Sequence, residues 1–235
     1  ACQCRHQGDR SGAEAGRGSN FPGSERNKNG VGSYALFAHL GDDVGTDHSW
    51  RAGISWLHNT AKAREYEDLD IAGNTVNNAL DGSSKLWLAD FVWKWAPNGN
   101  PAYRNFKLQG EYFRRQESGD LTFDTANLAS IDRYSATQSG WYLQGVYQFM
   151  PRWRIGLRTD RLDSGTVDYG ALNSANLSAT AYNPSRNSLM IDHSSSEYSR
   201  VRLQLAQDKS REGVTDNQVF LQYIMSLGAH GAHKF

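Results

Sequence analysis

The sequence predicts an all-β protein: an antiparallel β-barrel of the membrane-spanning kind, or the C-terminal part of one, with nine to ten strands. Three observations point there. Apolar and polar residues alternate with period two in segments of roughly ten residues, near membrane-crossing length and beyond the usual globular strand. All seven tryptophans fall inside those segments, and Trp95, Phe149 and Trp153 flank short turns as an interfacial aromatic girdle does. Short connections alternate with long polar ones, the asymmetry of periplasmic turns and external loops.

The elements follow in order. Residues 1–30 are rich in Gly, Arg and Ser and read as a poorly structured segment, with only 12–18 resembling the end of a strand. From 31 to 235 the barrel portion begins. Segment 31–41 places Tyr34, Leu36, Ala38 and Leu40 on one face, and 48–58 places Trp50, Ala52, Ile54 and Trp56. Segment 85–96 sets Trp87, Ala89, Phe91, Trp93 and Trp95 against Leu88, Asp90, Val92 and Lys94. Pro97-Asn98-Gly99-Asn100-Pro101 then turns the chain.

Segments 104–115 and 139–149 repeat the pattern through Phe106, Leu108 and Tyr112, and through Trp141, Leu143, Tyr147 and Phe149. After Met150-Pro151-Arg152 comes 153–161, with Trp153, Ile155 and Leu157. Segments 187–193 and 198–207 carry Leu189 and Ile191, then Val201, Leu203 and Leu205. The last, 218–227, aligns Val219, Leu221, Tyr223 and Met225, and the sequence ends on Phe235; Tyr223 and this terminal aromatic read as a C-terminal barrel signal.

The short connections are 42–47, 97–103, 150–152 and 194–197; the long ones are 59–84, 116–138, 162–186 and 208–217. The final strand therefore runs from an external loop toward the periplasm, and so does the first. Nine strands is an odd number, whereas single-chain bacterial barrels are even. One upward strand is thus expected to be missing or reduced to 12–18, and the chain reads as a fragment.

Composition narrows the function classes. Lys plus Arg number 25 against 25 Asp plus Glu, so bulk charge points to neither nucleic acid nor an acidic partner. Mean hydropathy is −0.67, and no apolar run reaches the ~18 residues of a membrane helix. Cys2 and Cys4 form a lone C-x-C, weak evidence for metal or redox chemistry. A soluble all-β binding domain would also alternate, and it remains the plain alternative.

The stretches Asn29-Gly30-Val31-Gly32-Ser33-Tyr34-Ala35-Leu36, Ala89-Asp90-Phe91-Val92-Trp93-Lys94-Trp95-Ala96-Pro97-Asn98-Gly99, Phe106-Lys107-Leu108-Gln109-Gly110-Glu111-Tyr112-Phe113, Gln148-Phe149-Met150-Pro151-Arg152-Trp153-Arg154 and Phe220-Leu221-Gln222-Tyr223-Ile224-Met225-Ser226-Leu227-Gly228 carry a resemblance. From about residue 12 to 235 the chain resembles the proteobacterial outer-membrane proteins that look like porins and often carry a zinc-regulated or TonB-dependent label. These are similar in size and layout to phosphate-selective porins. The resemblance implies an outer-membrane location, outer-membrane lipid, lipopolysaccharide and the barrel assembly machinery as partners, and a longer parent barrel. Self-association into a homo-oligomer is compatible with it.

If the apolar face meets lipid, the other lines a lumen. Its charged candidates are Arg51, Asp90, Lys94, Lys107, Glu111, Arg115, Arg154, Arg158, Asp160, Arg200 and Arg202, eight basic against three acidic. Such an excess favours anions in a diffusion channel. Cross-strand pairing of Asp90 with Lys107 and of Glu111 with Lys94 would cancel much of it. Loops 59–84 and 116–138 are candidate constrictions, and the acidic run Glu65 to Asp70 reads as a solvated external loop.

Other chemistry is weakly supported. His230 and His233, with His58 and His193, are poor zinc candidates because residues three apart on a strand point oppositely. Ser55 and His39 share the lumen side without a nucleophile signature, so no enzyme and no cofactor is expected. The alternatives to a channel are a non-conducting barrel that works in adhesion or assembly through its loops, and the soluble domain.

Overall fold

A computed structural model describes residues 10–16, 32–179 and 181–226. The chain forms one ten-stranded antiparallel sheet in which every strand pairs with its sequence neighbours: β1 (Arg10–Gly16), β2 (Ser33–Val44), β3 (His48–Leu69), β4 (Thr75–Trp95), β5 (Asn105–Phe123), β6 (Ser130–Met150), β7 (Trp153–Asp168), β8 (Ser185–Ser196), β9 (Ser199–Lys209) and β10 (Asp216–Met225). One short helix, α1 (Gly170–Asn173), and a 3-10 turn at Pro97–Gly99 are the only helical pieces among the described residues. β1 and β10 are the sheet's two edges.

The all-β expectation holds, and the tenth strand is β1, at Arg10–Gly16 rather than 12–18. It pairs with β2 from Arg10 opposite His39 to Gly16 opposite Ser33. The terminal residues Cys2, Cys4, His230, His233 and Phe235 lie outside the described residues.

The tight connections form where the residues dictate. Pro151 and Arg152 link Met150 directly to Trp153, and Arg152 takes φ 71°, the left-handed second position of a type II turn. Asn98 and Gly99 also adopt positive φ, 52° and 69°.

The long polar stretches are corrected. Strands β3, β4, β5 and β6 run 22, 21, 19 and 21 residues, so 59–84 and 116–138 are mostly paired strand, closed by turns at 70–74 and 124–129. Polar side chains on both faces hid the strands, because a ladder needs only backbone donors and acceptors. Neither stretch is a constriction loop. The acidic run Glu65 to Leu69 is likewise the end of β3, with Asp70 in the turn that follows. Among the connections that lie wholly, or in all but one residue, within the described residues, β7–β8 (169–184) is the long one.

That connection packs against the extended ends of the hairpins. Leu177 joins Leu80, Leu121 and Phe123 in a small buried cluster, ringed by Tyr66, Val76, Tyr134 and Tyr169. Asn173, fully buried, donates from Nδ2 to the Leu121 carbonyl at 3.0 Å and accepts from the Ser130 hydroxyl. Backbone bonds from Leu172 to Asp132 (2.6 Å) and from Ile71 to the Asn176 carbonyl (2.9 Å) pin the rest.

Candidate functional site: a sheet with inverted burial

Residues directly opposite in an antiparallel ladder share a face. The register puts Trp56, Trp87, Phe91, Tyr112, Trp141, Leu157, Leu189, Leu203 and Leu221 on one face. All but the half-buried Trp56 are exposed: Leu157 by 64%, Leu203 by 41% and Leu221 by 77%. The opposite, polar face is the crowded one, with Asp192 at 1% and Glu117 at 6%. A soluble sheet is arranged the other way round.

The apolar band does not follow the hydrogen-bonded rows. Its upper margin moves from Tyr34 on β2 to Val219 on β10; Val219 lies in the row of Asp42, eight positions from Tyr34, after eight strand-to-strand steps. The lower margin moves from Val44 to Met225, four positions beyond Leu221, which is in Val44's row. With a rise of about 3.4 Å per residue and a strand spacing of about 4.8 Å, a level band implies strands tilted by roughly 20–35°. On β4 the band spans Trp87 to Trp95, roughly 27 Å along the strand.

Aromatic residues mark its edges. Trp95 and Trp153 end their strands next to turns, as the sequence predicts, and Phe149 sits in the irregular pairing before Pro151. Tyr34, Trp56 and Trp87 pack in sequence at the other edge, with centroids 5.4 and 5.9 Å apart. Three histidines belong to these margins. His48 stacks on Trp93 at 5.5 Å, His58 lies 4.8 Å from Tyr34, and His193 lies 4.7 Å from Trp153. His58 and His193 are therefore packed on separate aromatic groups, five strands apart, and no metal-holding cluster occurs among the described residues.

All eleven charged candidates fall on the polar face. The pairing of Asp90 with Lys107 is replaced: Asp90 accepts from His39 Nε2 at 3.0 Å and is approached by Arg51 at 3.9 Å. Gly53 lies between His39 and Asp90, and a Cβ there would collide with both. Glu111 accepts from the Tyr142 hydroxyl at 3.0 Å. The register sets Asp90 opposite Glu111 and Lys94 opposite Lys107, like beside like.

Elsewhere three acids bind arginine. Asp192 bridges Arg154 (2.8 Å) and Arg202 (3.0 Å), Asp160 holds Arg158 (2.6 Å), and Asp208 faces Arg186 (3.4 Å). Arg158 also lies 3.9 Å over the Tyr142 ring. Lys107, Arg154, Arg158 and Arg202 line a cavity of about 290 Å³, together with Gln144 and Gln204. The basic excess thus concentrates toward the short-turn end of the polar face.

Further up, Arg115 is part of a separate group. Glu117 accepts from Arg115 and, at 2.8 Å, from Arg64 across Gly82. Burial pushes the Glu117 carboxyl up, but the two guanidinium groups outweigh it and hold it below its usual range. Burial raises Tyr134 to about 12, with Glu117 adding to it, and raises Tyr66 and Tyr169 as well.

Sequence reasoning missed Asp192, Arg64, Glu117, Arg186 and Asp208. Asp192 was available from parity, since it alternates with Ile191. The others sit in strand ends read as loop.

No family model matches the chain. A protein of Aquifex aeolicus (strain VF5), described as "Uncharacterized protein", is 28% identical over 210 residues, covering 86% of this chain and 40% of that protein. The chain therefore spans about 40% of the length of the relative it matches.

Proposed function

We propose that the sheet is wall of a bacterial outer-membrane β-barrel acting as a passive channel for small solutes, with anions preferred. The observation that carries this reading is the inverted burial: an exposed apolar band on one face and an ion-paired polar face on the other. Water penalises so much exposed apolar area, whereas a bilayer makes it the favoured contact. The aromatic margins and the slanting band agree with strands tilted through a slab. Closed membrane barrels have tilts of about 35–45°. The edges β1 and β10 are where such a wall would be completed.

Solutes would follow the polar face. Near the short turns Arg154, Arg200 and Arg202 gather around one paired acid, Asp192, and Lys94 stands opposite Lys107 on β4 and β5. A positive field there concentrates anions and repels cations. Conductance in a planar bilayer under a salt gradient tests it. Discrete steps with an anion-selective reversal potential are expected. No step would remove the channel, and a cation-selective potential would remove the preference.

One observation favours a second reading. The hairpins β3–β4 and β5–β6 rise well past the apolar band and carry their own buried cluster around Phe123. A rigid projection of this kind suits adhesion or assembly. Cell binding that survives without conductance would select it.

A further inference from the structure

We infer that Lys85, Arg114 and Arg161 form a cationic collar that binds the phosphates of a doubly phosphorylated glycolipid in the leaflet beside the long hairpins. The inference rests on the membrane reading above. The three residues project from the apolar face just beyond the upper aromatic margin, on β4, β5 and β7. Arg114 stands directly opposite Trp87, and Arg161 directly opposite Trp141. Lys85 is the next outward-facing residue beyond Trp87, diagonal to Arg114. Lys85 and Arg114 are exposed and enter no ion pair among the described residues.

Arg161 is held in place. Its Nη1 donates to the Asp160 carbonyl at 2.8 Å, and its Nη2 to Asn187 at 3.2 Å. The nearest acid on this face is Asp163, opposite Ser139, and it accepts from the Gly165 amide at 2.9 Å. The other margin lacks this bias. Around its turns Asp42, Asp47 and Glu197 stand among Arg104 and Arg152.

Basic side chains over an indole margin meet a bilayer where its phosphates lie. The collar extends over three strand spacings, about 14 Å. That span suits two phosphates set at opposite ends of a disaccharide better than the single phosphate of a glycerophospholipid. Neutral Asn187, Gln207 and Asn217 continue the same margin along β8 to β10, and one further cation, Lys209, stands beyond Gln207 in the row of Arg161 and Ser185.

The test uses the full chain in phosphatidylcholine nanodiscs, titrated with bisphosphorylated lipid A, its dephosphorylated form, or phosphatidylglycerol. Wild type should take up the bisphosphorylated lipid selectively. The triple variant K85Q/R114Q/R161Q should bind it about a hundredfold more weakly, at roughly fivefold per basic residue. The R152Q variant, at the other margin, should bind as wild type. Insertion of the triple variant, read by heat-modifiable gel mobility, shows that it folds.

Unchanged binding by a folded triple variant overturns the proposal. So does equal uptake of phosphatidylglycerol or of the dephosphorylated lipid. Those results leave the barrel standing. Failure of the wild type to insert into any bilayer overturns the membrane reading and the collar with it.

Discussion

Leu203 offers the sharpest test of the membrane reading. It lies mid-band on β9, between Val201 and Leu205 along the strand and between Ile191 and Leu221 across it, with 41% of its surface exposed. No polar group of the band is placed to receive a charge there. In a bilayer, Leu203→Arg should cost about 2–4 kcal/mol, the range for a basic residue near the midplane of a membrane barrel. Gln207→Arg, on the same face of the same strand but beyond the margin, should cost only about 0–1 kcal/mol. In water both are surface substitutions, and each should stay within about 0.5 kcal/mol.

The assay is reversible urea unfolding in lipid vesicles, followed by tryptophan fluorescence. With a slope of about 1–3 kcal/mol per molar, a 3 kcal/mol loss moves the midpoint by roughly 1–3 M. The slope itself should not change. If Leu203→Arg and Gln207→Arg both leave the midpoint in place, the exposed band is not a lipid contact and the argument from inverted burial fails.

Four further outcomes follow from the polar face. Replacing Lys94 and Lys107 together by Glu should shift the reversal potential toward cations, because the pair stands side by side near the short turns; an unchanged potential places the selectivity elsewhere. Gly53→Val should drive His39 and Asp90 apart and cost about 1–3 kcal/mol, measured by the same urea titration. Asn173→Ala removes the buried amide that ties the 169–184 connection to Leu121 and Ser130, so amide exchange across 169–179 should accelerate while β8–β10 stay protected. Glu117 has a folded pKa below its usual 4.5, so its stabilisation is present above that value and is lost as pH falls through the lower folded one. Amide exchange at Arg64–Tyr66 should therefore quicken on acidification, and Glu117→Gln should abolish that pH dependence.

Alternation made most of this architecture readable. Period two placed Trp87, Leu108 and Leu203 on one face and Arg51, Lys107 and Arg202 on the other, and register could only preserve that division. The strand ends were opaque for a physical reason. From Arg114 to Asp120 both faces of β5 are polar or charged, so hydropathy falls silent while the backbone ladder continues. Pairing partners were hidden too. Asp90 reaches His39 two strands away because Gly53 leaves the space between them, a contact set by a missing side chain. The inward packing of Leu177 also lay beyond reach, since one leucine in a polar loop has no period to report.

The apolar band has a consequence for the chain before it folds. Its outward-facing residues recur at every second position over nine strands, and mean hydropathy is −0.67. No helix among the described residues is long and apolar enough to cross a membrane. An unpaired strand therefore presents no continuous greasy segment to a device that captures one. On the proposed membrane reading, the lipid-facing surface comes into being only when neighbouring strands align, so solubility in transit and affinity for the bilayer would belong to two different states of the same residues.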